Sequence, residues 1–142
     1  MREKGDSNHE TDESCLKVLK RKINIMPKYF NLEEFDSPDK IGSGQKMDDK
    51  FVKMLDKARH IADIPFKINS GYRTAEWNLR VGGRVGSSHL KGVAVDIHCN
   101  NSGDRSVVLY ALIKVGFRRI GIANTFIHVD SDADKNDAVW LY

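Results

Sequence analysis

The chain has 142 residues, 23 Lys and Arg against 20 Asp and Glu, and a formal net charge of +3. With 40% hydrophobic and 30% charged residues it has the composition of an ordinary soluble domain, long enough to bury a real core. The slight basic excess is spread along the chain and argues against nucleic acid, and no apolar run approaches the roughly 20 residues that cross a membrane.

Residues 1–14 are polar, charged and without periodicity, and they lack the apolar stretch of a secretory signal. They are expected to form a disordered tail on a single domain spanning 15–142. Without a signal, the chain is expected to be made and held in the cytoplasm and to act outside only after release. The next stretch, CLKVLKRKINI, fits a short helix or a strand. SPDKIGSGQK reads as a loop from its Ser, Pro and Gly content. MDDKFVKMLDKARHIAD is the clearest helix, with Phe51, Met54, Leu55, Ala58 and either Ile61 or Ala62 inward, and with Met47 or Asp48 at its cap.

FKINSGY predicts a short strand entering a glycine turn, and RTAEWNLRVGG a short helix stopped by Gly82 and Gly83. After the RVGSSH loop, GVAVDIHC alternates as a strand. DRSVVLYALIKVG predicts a helix with Val107 or Val108, Leu109, Leu112 and Ile113 inward and Gly116 as its stop. FRRIGIA and TFIHVDS form a hairpin about Asn124, and DADKNDAVWLY reads as a tail. This order suggests an α+β domain, a small central antiparallel sheet packed by helices. Cys15 and Cys99 are too few for a disulfide framework and are expected to be free thiols.

Asp96 is the residue that demands an explanation, because a carboxylate in an apolar strand needs a cation or several donors. Strand alternation places Asp96 on one face with Ala94 and His98, and His128 on one face with Phe126 and Asp130. If the two strands pair antiparallel, Asp96 and His128 meet across the sheet and His89 needs only to approach from its loop. Two imidazoles and a carboxylate suit zinc, and three protein ligands with a free fourth position make a catalytic site rather than a structural one.

Further motifs accompany this set. SGYRT at 70–74, N-x-x-V-G-G at 78–83, S-x-H-x-x-G-x-A-x-D at 87–96, GFRRIGI and FIHVD together resemble the zinc peptidases of the D-alanyl-D-alanine carboxypeptidase family, M15, in its short phage and bacterial form. The FDSPD segment at 35–39 is similar to their N-terminal part. The resemblance implies a small fold shared with the hedgehog signalling domain, one zinc ion, and cleavage of peptide bonds in peptidoglycan stem peptides. It implies His89, Asp96 and His128 as zinc ligands, Arg73 as the group that polarises the scissile carbonyl, and Ser87 as a substrate contact. A phage-type product would be released to the wall by a partner such as a holin.

One position departs from the family pattern. Thr125 stands where well-studied members carry an acidic general base, three residues before the last histidine ligand. Asp130 is the nearest carboxylate, either as base or as a partner orienting His128. Two readings stay open, a zinc D,D-carboxypeptidase or endopeptidase and a non-catalytic metal-binding module that binds cell wall or a protein partner. A monomer is expected. Trp77, Trp140, Tyr72 and Phe126 are candidates for a substrate groove or for the core.

Overall fold

A computed structural model describes residues 13–17 and 27–142. Most of the predicted tail over 1–14, and the 18–25 part of the segment read as helix or strand, lie outside the described residues. Residues 13–17 are helical and exposed. The described chain contains helices α1 (Asp49–Ala62), α2 (Ala75–Arg80) and α3 (Ser102–Val115). Its strands are β1 (Ile68–Ser70), β2 (Ala94–His98), β3 (Arg119–Ile122), β4 (Phe126–Asp130) and β5 (Ala138–Leu141).

Each helix starts where a short polar side chain can satisfy a free backbone N–H. The Asp48 carboxylate accepts from the N–H of Phe51, the Thr74 hydroxyl from Trp77, and the Asn101 amide oxygen from Asp104. Phe51, Leu55, Ala58 and Ala62 recur on one side of α1 and are buried. Ala62 is therefore the inward residue of the predicted pair, and Ile61 is 41% exposed. The expectation for α3 needs one correction. Val108, Ala111 and Leu112 form its buried stripe, whereas Ile113 is 60% exposed. At 100° per residue Ile113 turns away from that stripe.

The strands form one five-stranded sheet in the order β1-β2-β4-β3-β5. Every pairing is antiparallel except β3 with β5, which is parallel. The DADKNDAVWLY segment, read as a tail, thus supplies the edge strand. Alternation divides the sheet into two faces. Val95, Ile97, Ile120, Ile127 and Val129 turn to one side and join Phe51, Leu55, Val108 and Leu112 in a single core. Helices α1 and α3 cover that side. The other face carries Asp96, Phe126, His128, Asp130, Arg119 and Gly121, and there the polar chemistry collects. Cys15 and Cys99 are both free. No helix of the described residues is long and apolar enough to cross a membrane.

Candidate metal centre

One row of paired residues crosses the whole sheet on its polar face. Ser70 lies opposite Asp96, Asp96 opposite His128, His128 opposite Gly121, and Gly121 opposite Trp140. Directly opposed residues project the same way with their Cβ atoms adjacent. The pairing therefore brings Asp96 and His128 together, as the alternation requires. His89 arrives from a short 3-10 helix, Ser88–Lys91. Ligand atoms of His89, Asp96 and His128 all lie within 4.8 Å of one another.

The histidine rings are oriented from behind. His89 Nδ1 lies 2.8 Å from the carbonyl oxygen of Gly71. A carbonyl only accepts, so Nδ1 carries a proton, and Nε2 is the nitrogen that faces Asp96, 3.5 Å away. His128 presents Nδ1 to Asp96 at 2.9 Å and Nε2 to Asp130 at 2.8 Å. Asp130 is 1% exposed, and its second oxygen accepts from Arg119 Nε at 2.7 Å and from the N–H of Asp132 at 3.1 Å. Burial opposes ionisation of Asp96, but hydrogen bonds from His128 and His89 outweigh it and hold the carboxyl well below the usual carboxylate range. Burial likewise opposes protonation of His128, and its bonds to Asp130 and Asp96 overcome that and raise its pKa.

Arg73 stands at the edge of this cluster with its side chain fixed. Nε donates to the Ser70 hydroxyl at 3.0 Å, Nη1 to the Asn78 side-chain oxygen at 3.3 Å, and Nη2 lies 3.6 Å from Asp96. Asn78 is buried and donates to the carbonyl of Arg84 at 3.1 Å. A Cβ at Gly83 would sit 2.0 Å from the Asn78 oxygen, so the Asn and the second Gly of N-x-x-V-G-G fit only together. Ser87 caps the 3-10 helix, accepting from the N–H of His89 at 3.3 Å, and lines the cleft. Gly92, at φ +71°, abuts the backbone of Lys46 and Met47, where a Cβ would not fit.

The cleft measures about 720 Å³ and holds Arg73, Arg84, Ser87, His89, Asp96 and His128 in its lining. Asp96 and Asp130 are the acidic residues among its described lining. Thr125 is exposed and lies off the cleft. The sequence profile of the family described as Peptidase M15 matches residues 28–130. The chain belongs to this family. No curated protein matches the chain. The matched span contains all three predicted ligands, Arg73, Ser87 and Asp130.

This M15 chain also has a donor set suited to the metal of a metallopeptidase. Two imidazoles and a carboxylate converge within ligating range, and each imidazole has its far nitrogen held by an acceptor, the usual support of a histidine ligand. His98, which shares the strand face of Asp96, is exposed.

Sequence reasoning missed Asp132, which lies in a polar segment with the composition of a solvated loop. Its side chain is 1% exposed. It accepts from Lys91 Nζ at 2.9 Å and 3.1 Å, from the Ser88 hydroxyl at 2.8 Å and from the N–H of Asp134 at 3.1 Å. Its own N–H donates to Asp130. Asp132 thereby ties the 3-10 helix carrying His89 to the end of β4 carrying His128. Burial opposes its ionisation, but Lys91, Ser88 and the Asp134 N–H outweigh it and hold the carboxyl well below its ordinary value. A carboxyl depressed in the fold stabilises above its unfolded pKa, about 3.9, and that stabilisation fades as pH falls through and below that value. Asp132→Asn should therefore cost roughly 2–3 kcal/mol near neutral pH. The gap between the thermal melts of the two proteins should narrow progressively as pH falls from about 4 into the strongly acid range. A gap that stays constant across that range would contradict this account.

Proposed function

We propose that this peptidase uses zinc, held by His89, Asp96 and His128, to hydrolyse peptide bonds in peptidoglycan stem peptides, as a D,D-carboxypeptidase or endopeptidase. The observation that carries the reading is the placement of a fixed guanidinium, Arg73, beside the three-ligand cluster in one cleft. When bound there, zinc supplies an activated water at neutral pH and an electrophile for the scissile carbonyl.

The chain's own residues provide the rest. Arg73 donates to the oxyanion that develops on the carbonyl oxygen, and losing such a donor typically costs about 3 kcal/mol in the transition state. Because Ser70 and Asn78 already hold the guanidinium, little reorganisation accompanies that charge. Ser87, at the rim of the cleft, offers a hydroxyl to the substrate backbone. Asp130 orients His128 through Nε2, since both of its oxygens are engaged by His128, Arg119 and the Asp132 N–H.

The same engagement favours a second reading, a metal-binding module that recognises wall or a partner without cutting it. Neither carboxylate of the cleft is free, and Thr125 stands off it. One assay separates the two. Full-length protein loaded with zinc is incubated with purified peptidoglycan, and the digest is analysed for free D-alanine and for newly exposed stem amines. Release of D-alanine marks a carboxypeptidase, and new stem amines mark an endopeptidase. Neither product, from protein that carries one zinc per chain, would overturn the enzymatic reading.

A further inference from the structure

We infer that Trp140 is a positioning residue for the metal centre, its indole lying over Gly121 to brace the face of the His128 ring. The inference rests on the reading of His128 as a metal ligand. It concerns a residue outside the matched family span, on the strand that the sequence pattern did not disclose.

The cross-sheet row sets the geometry. His128 and Trp140 both pair with Gly121, from opposite sides. A side chain at 121 would stand between them. A Cβ built there would lie 2.6 Å from the indole Nε1 and Cε2, so the indole occupies the space that Gly121 leaves. From there it reaches the His128 ring, with centroids 5.5 Å apart and planes inclined at 47°. Asp130 holds His128 at one edge, through Nε2. The contacts of His128 at Nδ1, to Asp96, and at Nε2 both act at the ring edge and leave the ring able to tilt, and a packed ring on its face removes this freedom. Trp140 is also coupled to the Asp130 support. The Arg119 guanidinium lies 5.2 Å from the Trp140 ring while its Nε donates to Asp130. Tyr142 backs Trp140 at 6.3 Å and itself packs on Phe126 at 5.1 Å.

The test uses the full chain and zinc alone. Zinc affinity is measured by competition with a chromophoric chelator for wild type, Trp140→Ala, Trp140→Phe and Gly121→Ala, beside circular dichroism and melting of each protein without added metal. Trp140→Ala should bind zinc about 10-fold or more weakly, the range typical of losing an outer support of a ligand. Trp140→Phe should recover most of the affinity. Gly121→Ala, which displaces the indole without removing it, should repeat the Trp140→Ala loss. In a Trp77→Phe background, the fluorescence of Trp140 should be quenched by one equivalent of Co²⁺. Wild-type affinity in folded Trp140→Ala, or in Gly121→Ala, would overturn the inference. So would unchanged Trp140 fluorescence at saturating Co²⁺. If wild type itself binds no zinc, the metal centre falls first and the bracing role with it.

Discussion

Asp96→Ala is expected to abolish stoichiometric metal binding and, with it, peptidase activity. The carboxylate is the centre of the cluster: His128, His89 and Arg73 all converge on it. Removing it takes away the anionic ligand and leaves two imidazoles, so the loss of affinity should exceed the roughly 10–100-fold that follows removal of an outer support. It also leaves Arg73 in a largely buried site without its countercharge, and breaking a buried pair can cost about 3–5 kcal/mol. The remaining bonds of Arg73 to Ser70 and Asn78 soften that penalty. Asp96→Asn keeps the shape and isolates the charge. Both variants should lose zinc to a chelator concentration that wild type withstands, as read by elemental analysis after dialysis. One tightly held zinc per chain in either variant would remove Asp96 from the ligand set.

How much of this was legible in the sequence depended on whether a residue's partners follow from local pattern. Strand alternation fixes which way Asp96 and His128 point, so they meet once their strands pair antiparallel, as β2 and β4 do; that pairing entered the sequence reading as a condition. The resemblance of the motifs to M15 peptidases agrees with the family match. The start of α1 was legible for a similar reason, since Asp48 satisfies a backbone donor three residues on, while α2 and α3 start within two residues of where the pattern put them. Strand β5 was not legible. Its partner is β3, a parallel neighbour reached across the loop after β4, and DAVWLY has no clean alternation to announce a half-buried strand. Asp132 was hidden because its partners, Ser88 and Lys91, lie 44 and 41 residues away, while its neighbours in sequence are those of an exposed loop. Gly121 carried no signal either. A glycine in a strand marks close approach of something, but only the tertiary structure identifies the indole.

Asp130→Asn should weaken zinc binding while leaving turnover at saturating zinc within about 10-fold of wild type, and this split is what distinguishes its two candidate roles. If Asp130 orients His128, its loss acts through the metal, at roughly 10–100-fold in affinity, and added zinc restores the enzyme. If it is the general base, its loss acts on the chemical step, at roughly 10²–10⁴-fold, and no zinc concentration restores turnover. The geometry favours the first outcome. A base must have an oxygen available to the attacking water, whereas one oxygen of Asp130 faces His128 Nε2 and the other accepts two N–H donors. The asparagine oxygen can still accept from Nε2, so the orientation should be weakened rather than lost. Asp130→Ala removes the acceptor altogether and leaves the Arg119 guanidinium without its carboxylate, so it should bind zinc less tightly than Asp130→Asn and melt lower. The decisive measurement is kcat over a zinc titration for both variants, with affinity read separately by chelator competition. A kcat that stays depressed at every zinc concentration, with wild-type affinity, would make Asp130 the base despite its engaged oxygens. Full recovery of kcat would leave the proton of the attacking water to a group other than Asp130, and would make the carboxylate behind His128 a device for holding one ligand in place.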